Sequence, residues 1–209
     1  HCGEGRPAAN ELAAEESAVM RRESPSYAAY VAHQKRKTEL ASTKRKVMSA
    51  WNAYAAEFTR WFTPVVAMLG RRPKALCLGA RYGCEVSVLR HLGCKAVGID
   101  LVPCLPLVVY GDFHKIPFKA DSFDLVYCNA LDHAYDLKRV VNEAARVLRG
   151  QGYLLFSLAL GGFGKYEATR IDTPDDVTGL LPAFKVIASD PLVTAIGGLN
   201  HTLLLQRGV

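Results

Sequence analysis

The sequence predicts an α/β protein built on an open, mostly parallel sheet, and three observations carry that expectation. A strand-like run, Lys74-Ala-Leu-Cys-Leu78, enters a glycine-framed loop, Gly79-Ala-Arg-Tyr-Gly83, and a helix over roughly 84–92 follows. A second strand-like run, Ala96-Val-Gly-Ile99, ends on an acid, Asp100. Strand-like and helix-like segments then keep alternating to about Leu160. Open parallel sheets bind their ligands where strands end and helices begin. An acid closing the second strand, about twenty residues past the loop, stands where both ribose hydroxyls of an adenosine ligand are accepted.

Ahead of this core, residues 1–46 read as a basic, partly helical arm. Residues 1–24 are rich in Ala and Glu, and Ser24-Pro-Ser26 stops a helix over 11–22. From Tyr27 to Lys46 the pattern is helical and basic. Lys35-Arg-Lys37 and Lys44-Arg-Lys46 lie nine positions apart. At about 100° per residue, that spacing returns half a turn away. A single basic patch therefore needs a bend or a broad surface.

Residues 47–73 read as one amphipathic segment. Trp51, Tyr54, Phe58, Trp61, Phe62, Val65 and Val66 recur at three- and four-residue spacing, the mark of a helix with one heavy apolar face. That face either packs on the sheet domain or forms a lid over a ligand, and both roles are compatible. Pro64 has no backbone N–H to give, so Thr63-Pro64 predicts a break or kink with Thr63 as a helix cap.

Residues 74–209 form the core domain. Asp136 to Arg149 reads as a helix with an acidic start and arginines near its end, which suits the helix dipole. Gly150-Gln-Gly152 ends it and starts a fifth strand. Residues 172–181 read as a short helix capped by Asp172 or Thr173. Phe184–Leu192 and Leu199–Gln206 read as two strands with Gly197-Gly198 between them.

The motifs past Asp100 carry a resemblance. They are Val108-Val-Tyr-Gly-Asp112, the run Ile116-Pro-Phe-Lys-Ala-Asp-Ser-Phe-Asp-Leu-Val126, Leu131-Asp-His133, and the helix-to-strand run from Val140 to Leu154. In this order and spacing the chain resembles a class I S-adenosylmethionine-dependent methyltransferase of the type-11 group. Its loop Cys77-Leu-Gly-Ala-Arg-Tyr-Gly83 and the run Gly98-Ile-Asp-Leu-Val-Pro103 are closer to a plant and algal branch with a variant glycine loop. The resemblance implies a Rossmann-like methyltransferase fold, a seven-stranded, mostly parallel sheet closed by a C-terminal antiparallel strand pair. It implies S-adenosylmethionine as cofactor, leaving as S-adenosylhomocysteine. It implies cofactor contacts from Gly79, Arg81, Gly83, Asp100, Leu101, Asp112, Phe113 and Asn129.

Each assignment has a plainer alternative. The family has an acid where this chain has Cys77, and that acid usually helps anchor the methionine end of the cofactor. It has a glycine where this chain has Arg81. Arg81 either pairs with the cofactor carboxylate, for which a guanidinium is well suited, or points to solvent, or blocks the site. Asp100 either holds ribose or serves as a turn acid before Val102-Pro103. Asp112 either contacts the adenine amino group, with Phe113 flanking the ring, or closes a Gly-Asp turn. Asn129 is a cofactor-side or structural polar group. His133 either orients or deprotonates the acceptor, or is structural. Cys128-Asn-Ala-Leu-Asp132 lacks the prolines and stacking aromatic of amino-directed nucleobase methyltransferases, which argues against that chemistry.

Methyl transfer from a sulfonium needs binding, aim and exclusion of water, not a protein nucleophile. The lack of a Ser-His-Asp constellation therefore excludes nothing here. The six cysteines, Cys2, Cys77, Cys84, Cys94, Cys104 and Cys128, contain no Cys-x-x-Cys pair, so we expect buried thiols, a reducing intracellular compartment and no metal site. Residues 1–74 carry thirteen Lys/Arg against seven Asp/Glu, the whole net charge of +6, and the remainder is neutral. The basic residues in 21–74 suggest a protein or RNA partner, or are an ordinary solvated helical surface. A degenerate methyltransferase fold serving as a scaffold in a larger complex is the competing reading. No apolar run is long enough to span a bilayer. The start at His1 rather than Met points to a trimmed chain, and a removed chloroplast or mitochondrial leader is one source of it.

Overall fold

A computed structural model describes residues 24–208. The arm over 1–23, with its expected helix and Cys2, lies outside the described residues. Three helices come first: α1 (Tyr27–Glu39), α2 (Ala41–Ser49) and α3 (Trp51–Met68). The core follows as β1 (Lys74–Leu78), α4 (Cys84–His91), β2 (Lys95–Asp100), β3 (Val108–Tyr110), β4 (Phe123–Cys128), α5 (Leu137–Val147), β5 (Leu148–Leu158), α6 (Asp175–Thr178), β6 (Phe184–Ile196) and β7 (Leu199–Arg207). The sheet has seven strands in the order β3-β2-β1-β4-β5-β7-β6. The first five are parallel, and β7 runs antiparallel to both β5 and β6.

Alternation along the strands builds two cores. Leu76 and Leu78 of β1 join Val126 of β4 and Phe156 of β5 beneath α5, where Val140, Val141, Ala144 and Val147 are fully buried. Ala75, Cys77, Leu125 and Tyr127 face the other way, against α3 and α4. A period of two along each strand thus makes a three-layer α/β/α domain.

α3 buries Phe58, Trp61, Phe62 and Val65, one face at helical spacing. The Phe62 and Tyr127 rings meet edge to face at 4.8 Å. α3 continues through Pro64 as one helix, contrary to the expected break, and Thr63 does not cap a new helix. Its hydroxyl donates back to the Thr59 carbonyl at 2.7 Å. Packing of the apolar face on both sides of Pro64 outweighs the missing N–H.

The basic segment bends where the nine-residue spacing needs it to. Leu40 is extended (φ −61°, ψ 126°) and separates α1 from α2. β5 begins at Leu148, four residues earlier than Gly152, so Gly150 and Gly152 lie inside the strand. α6 is a single turn, and Asp176 rather than Asp172 or Thr173 supplies the capping carboxylate, accepting from both of their N–H groups. Gly197 and Gly198, at φ 62° and 90°, make the two-residue turn between β6 and β7.

Candidate active site

The chain order reverses at β1. β2 and β3 extend the sheet to one side, and β4 starts the other. Ligand crevices in open α/β sheets open at this switch point. Two cavities lie there. The larger, about 380 Å³, is lined among others by Lys37, Tyr54, Arg81, Glu85, Asn129 and His133. The smaller, about 60 Å³, is lined by Tyr30, Asp100, Leu101 and Phe113 among others. Lys37, Gly79, Arg81, Ala130 and His133 line both.

The loop after β1 takes its shape from backbone needs. Gly79 sits at φ 65°, and a Cβ there would meet Ala130 Cβ at 3.1 Å. Gly83 sits at φ 81° as the cap of α4, and a Cβ would clash with Leu107 Cβ at 2.7 Å. Arg81 also has positive φ, 44°. Its N–H donates to Asp100 Oδ2 at 3.0 Å, and Val102 N–H donates to Oδ1 at 2.9 Å. Asp100 therefore ties the loop to the end of β2 and also walls the smaller cavity. Burial raises its pKa, and these two N–H groups oppose that rise. Arg81 lies against both cavities rather than turning wholly to solvent.

Asp112 is placed otherwise. It is absent from both cavity walls, although Gly111 and Phe113 line the smaller one. Its Oδ1 accepts from His114 N–H at 2.8 Å and meets His114 Nδ1 at 2.9 Å. The Tyr27 hydroxyl donates to its other oxygen. His114 Nε2 in turn accepts from the N–H groups of Tyr135 and Asp136 at 3.0 and 3.2 Å. In this structure Asp112 closes a turn and holds α1 to the core. Burial raises its pKa, but these hydrogen bonds more than reverse that and leave it lowered.

His133 ends a 3-10 turn, Leu131–His133, beyond β4. Its Nδ1 lies 3.1 Å from the Tyr166 carbonyl, which can only accept, so Nδ1 carries the proton. Nε2 then accepts from Lys37 Nζ at 2.7 Å. Burial lowers the His133 pKa. Burial, with Arg81 nearby, brings Lys37 down to about 8. Asp132, His133 and Glu167 offer ligand atoms within 4.8 Å of one another. Both His133 nitrogens are already engaged, and the Lys37 ammonium supplies the cation that these acids face.

The sequence reads Tyr27–Lys46 as helical but does not reveal that α1 walls the site at Asp100 and His133. The Tyr30 hydroxyl donates to the His133 carbonyl at 2.8 Å, Gln34 donates to the Tyr166 carbonyl at 2.8 Å, and Tyr82 donates to the Thr38 carbonyl at 2.7 Å. Tyr30, Gln34, Lys37 and Thr38 form one wall of the smaller cavity. The sequence let the amphipathic segment pack on the sheet, form a lid, or both; α3 packs on the sheet and supplies Tyr54 and Phe58 to the larger cavity, while α1 covers the smaller one. Glu85 also went unflagged. It is 5% exposed, in the first turn of α4.

Comparisons with known proteins agree with this geometry. A family profile described as a methyltransferase domain matches residues 76–156. A sarcosine/dimethylglycine N-methyltransferase of Halorhodospira halochloris is 33% identical over 107 residues, 43% of this chain and 38% of that protein. A malonyl-[acyl-carrier protein] O-methyltransferase of Halorhodospira halophila is 30% identical over 101 residues, 42% of this chain and 34% of that protein. The matches thus span little more than a third of these curated relatives. The structure of 1,6-didemethyltoxoflavin-N1-methyltransferase from Burkholderia thailandensis, with 1,6-didemethyltoxoflavin and S-adenosylhomocysteine bound, superposes with a TM-score of 0.71 at 17% identity, covering 91% of this chain and 95% of that one. Residues 76–156 therefore match a methyltransferase domain, and the chain has the fold of the class I S-adenosylmethionine-dependent methyltransferases.

Proposed function

We propose that this chain transfers a methyl group from S-adenosylmethionine to a small acceptor held in the larger cavity. One observation carries the reading. A cavity walled by Asp100, Leu101 and Phe113 meets a roomier one at Gly79, Arg81, Ala130 and His133, at the ends of β1 and β4. The residues fit the cofactor. A carboxylate stands for the ribose, an aromatic edge for the base, and a glycine whose Cβ space is taken lets backbone approach.

The cofactor supplies an activated methyl carbon when bound. The chain's own residues bind it, aim the acceptor and keep water out. His133 lines both cavities, and its Nε2 lone pair accepts from Lys37. An acceptor hydroxyl or amine must shed a proton, and Lys37, brought down to about 8 by burial, lines both cavities and takes it when in its neutral amine form. The volume of the larger cavity and its cover by α1 and α2 favour a small molecule over a duplex or folded RNA. No finding favours a scaffold role.

A protein or RNA partner for the basic residues in 21–74 belongs to the same proposal. Lys37 is turned to His133, and Lys46 lies exposed at the edge of the larger cavity. Arg36, Lys44, Arg45, Arg71 and Arg72 are among the exposed residues available to such a partner.

Calorimetry with S-adenosylmethionine and S-adenosylhomocysteine tests the reading. Saturable one-to-one binding supports it, and no binding to the folded chain overturns it.

A further inference from the structure

We propose that Glu85 is the anchor for the α-ammonium of the bound cofactor, replacing the acid that Cys77 displaces from the end of β1. The inference rests on the cofactor reading above. Its basis is a buried carboxylate that lines a cavity and makes no ion pair with the Arg81, Lys37 or Lys46 side chains that line it too. Glu85 is 5% exposed and lines the larger cavity. Among the described residues no Lys, Arg or His forms an ion pair with it. Its hydrogen bond runs to its own backbone N–H. A buried carboxylate left in that state is costly, and ionised groups in interiors are normally paired.

The location selects the ligand. The Cys77, Tyr127 and Cys128 pKa values are raised by burial first, and the Glu85 charge raises each further. Glu85 lines the larger cavity together with Gly79, Ala80, Arg81, Gly83 and Asn129, at the ends of β1 and β4. Of the charged parts of S-adenosylmethionine, the sulfonium follows the nucleoside directly. The amino-acid end extends from there into the larger cavity, where Glu85 and Arg81 offer opposite charges. Glu85 takes the ammonium, and the Arg81 guanidinium is the matching group for the carboxylate.

Burial raises the Glu85 pKa to about 7, while Arg81 lowers it and Asp100 raises it. A bound ammonium favours the ionised form. Affinity for the zwitterionic cofactor is then expected to strengthen from pH 6 to pH 8.

The test compares S-adenosylhomocysteine with 5′-methylthioadenosine, which lacks the amino-acid end, on the wild type and on Glu85→Gln. Glutamine keeps the shape and removes the charge. Loss of one charge-assisted contact should weaken S-adenosylhomocysteine by about 10- to 100-fold and leave methylthioadenosine within about 2-fold. Equal affinities in both proteins, or equal loss for both ligands, overturn the role of Glu85. Failure of the wild type to bind either ligand overturns the cofactor reading itself. A third ligand, S-adenosylhomocysteine without its α-amino group, covers the case in which Glu85→Gln does not fold. On the wild type it should bind about 10-fold or more weaker than the parent, and its gain from pH 6 to pH 8 should vanish. An undiminished affinity with the same pH gain overturns the proposal.

Discussion

Lys37 Nζ stands 2.7 Å from Nε2 of His133, and one half-buried pair thereby joins the first helix to the turn beyond β4. The tautomer follows from the other nitrogen, which must donate to the Tyr166 carbonyl. The Nε2 lone pair accepts from Lys37, and both residues line the two cavities.

That pair sets a pH dependence of stability. Burial lowers the Lys37 pKa to about 8, from an ordinary value of 10.5. Below about pH 8 the ammonium is charged in both folded and unfolded chains, and the cost of burying it is present in full. Between the two values the unfolded chain binds more protons, so stability rises with pH, and above them the cost is gone. Relative to Lys37→Met, the wild type should gain on the order of 2 kcal/mol between pH 7 and pH 10.5. Urea unfolding of both proteins across that range measures it. A constant difference means that Lys37 is solvated.

Asp100→Ala should cost at least about 100-fold in S-adenosylhomocysteine affinity, because two ribose hydroxyls lose a charged acceptor. The same change frees the N–H groups of Arg81 and Val102. Stability should fall by about 1–2 kcal/mol without loss of the fold. Calorimetry and thermal unfolding separate the two effects. Full affinity in the variant would mean that Asp100 only closes the turn.

How much of this was legible in the sequence depends on range. β1, the Gly79–Gly83 loop, α4 and the acid ending β2 are local, and strand alternation with glycine punctuation reveals them. The parallel order and the β6–β7 pair follow from the same periodicities once the family resemblance is seen. One partner of Asp112 is local, His114, and the other is not. Tyr27 reaches it across 85 positions, and Lys37 reaches His133 across 96. The bend at Leu40 has no Gly or Pro beside it. It exists because α1 is drawn onto the site by Tyr30 and Gln34, while α2 leads back to α3. Pro64 misled because propensity yields to the burial of Phe62 and Val65. Glu85 reads as an ordinary first-turn acid until its burial is known.

α1 should respond to the cofactor. The smaller cavity, about 60 Å³, holds only a few water molecules. Adenosine enters it only if the wall of Tyr30, Gln34, Lys37 and Thr38 gives way. Amides of α1 should exchange faster than those of β1 and β4 in the free chain, and slow by about 10-fold or more when S-adenosylhomocysteine binds. Hydrogen exchange by mass spectrometry resolves these segments. Unchanged protection of α1 on binding would remove it as a cover.

The relation of Cys77 to Glu85 gives the last prediction. Cys77 is fully buried at the end of β1, and the Glu85 carboxylate is close enough to push its thiol pKa up beyond the effect of burial. One acid fits there. Cys77→Asp in the wild type would set two carboxylates in one buried site, where they cannot both ionise without strong repulsion. It should lower stability by about 2–4 kcal/mol. In the Glu85→Gln background the count returns to one acid. The double variant should be more stable than Cys77→Asp alone and should recover most of the S-adenosylhomocysteine affinity that Glu85→Gln loses. Thermal unfolding and calorimetry on all four proteins close a double-mutant cycle. If Cys77→Asp is equally damaging in both backgrounds and affinity does not return, the two positions act independently, and Glu85 is not the displaced anchor.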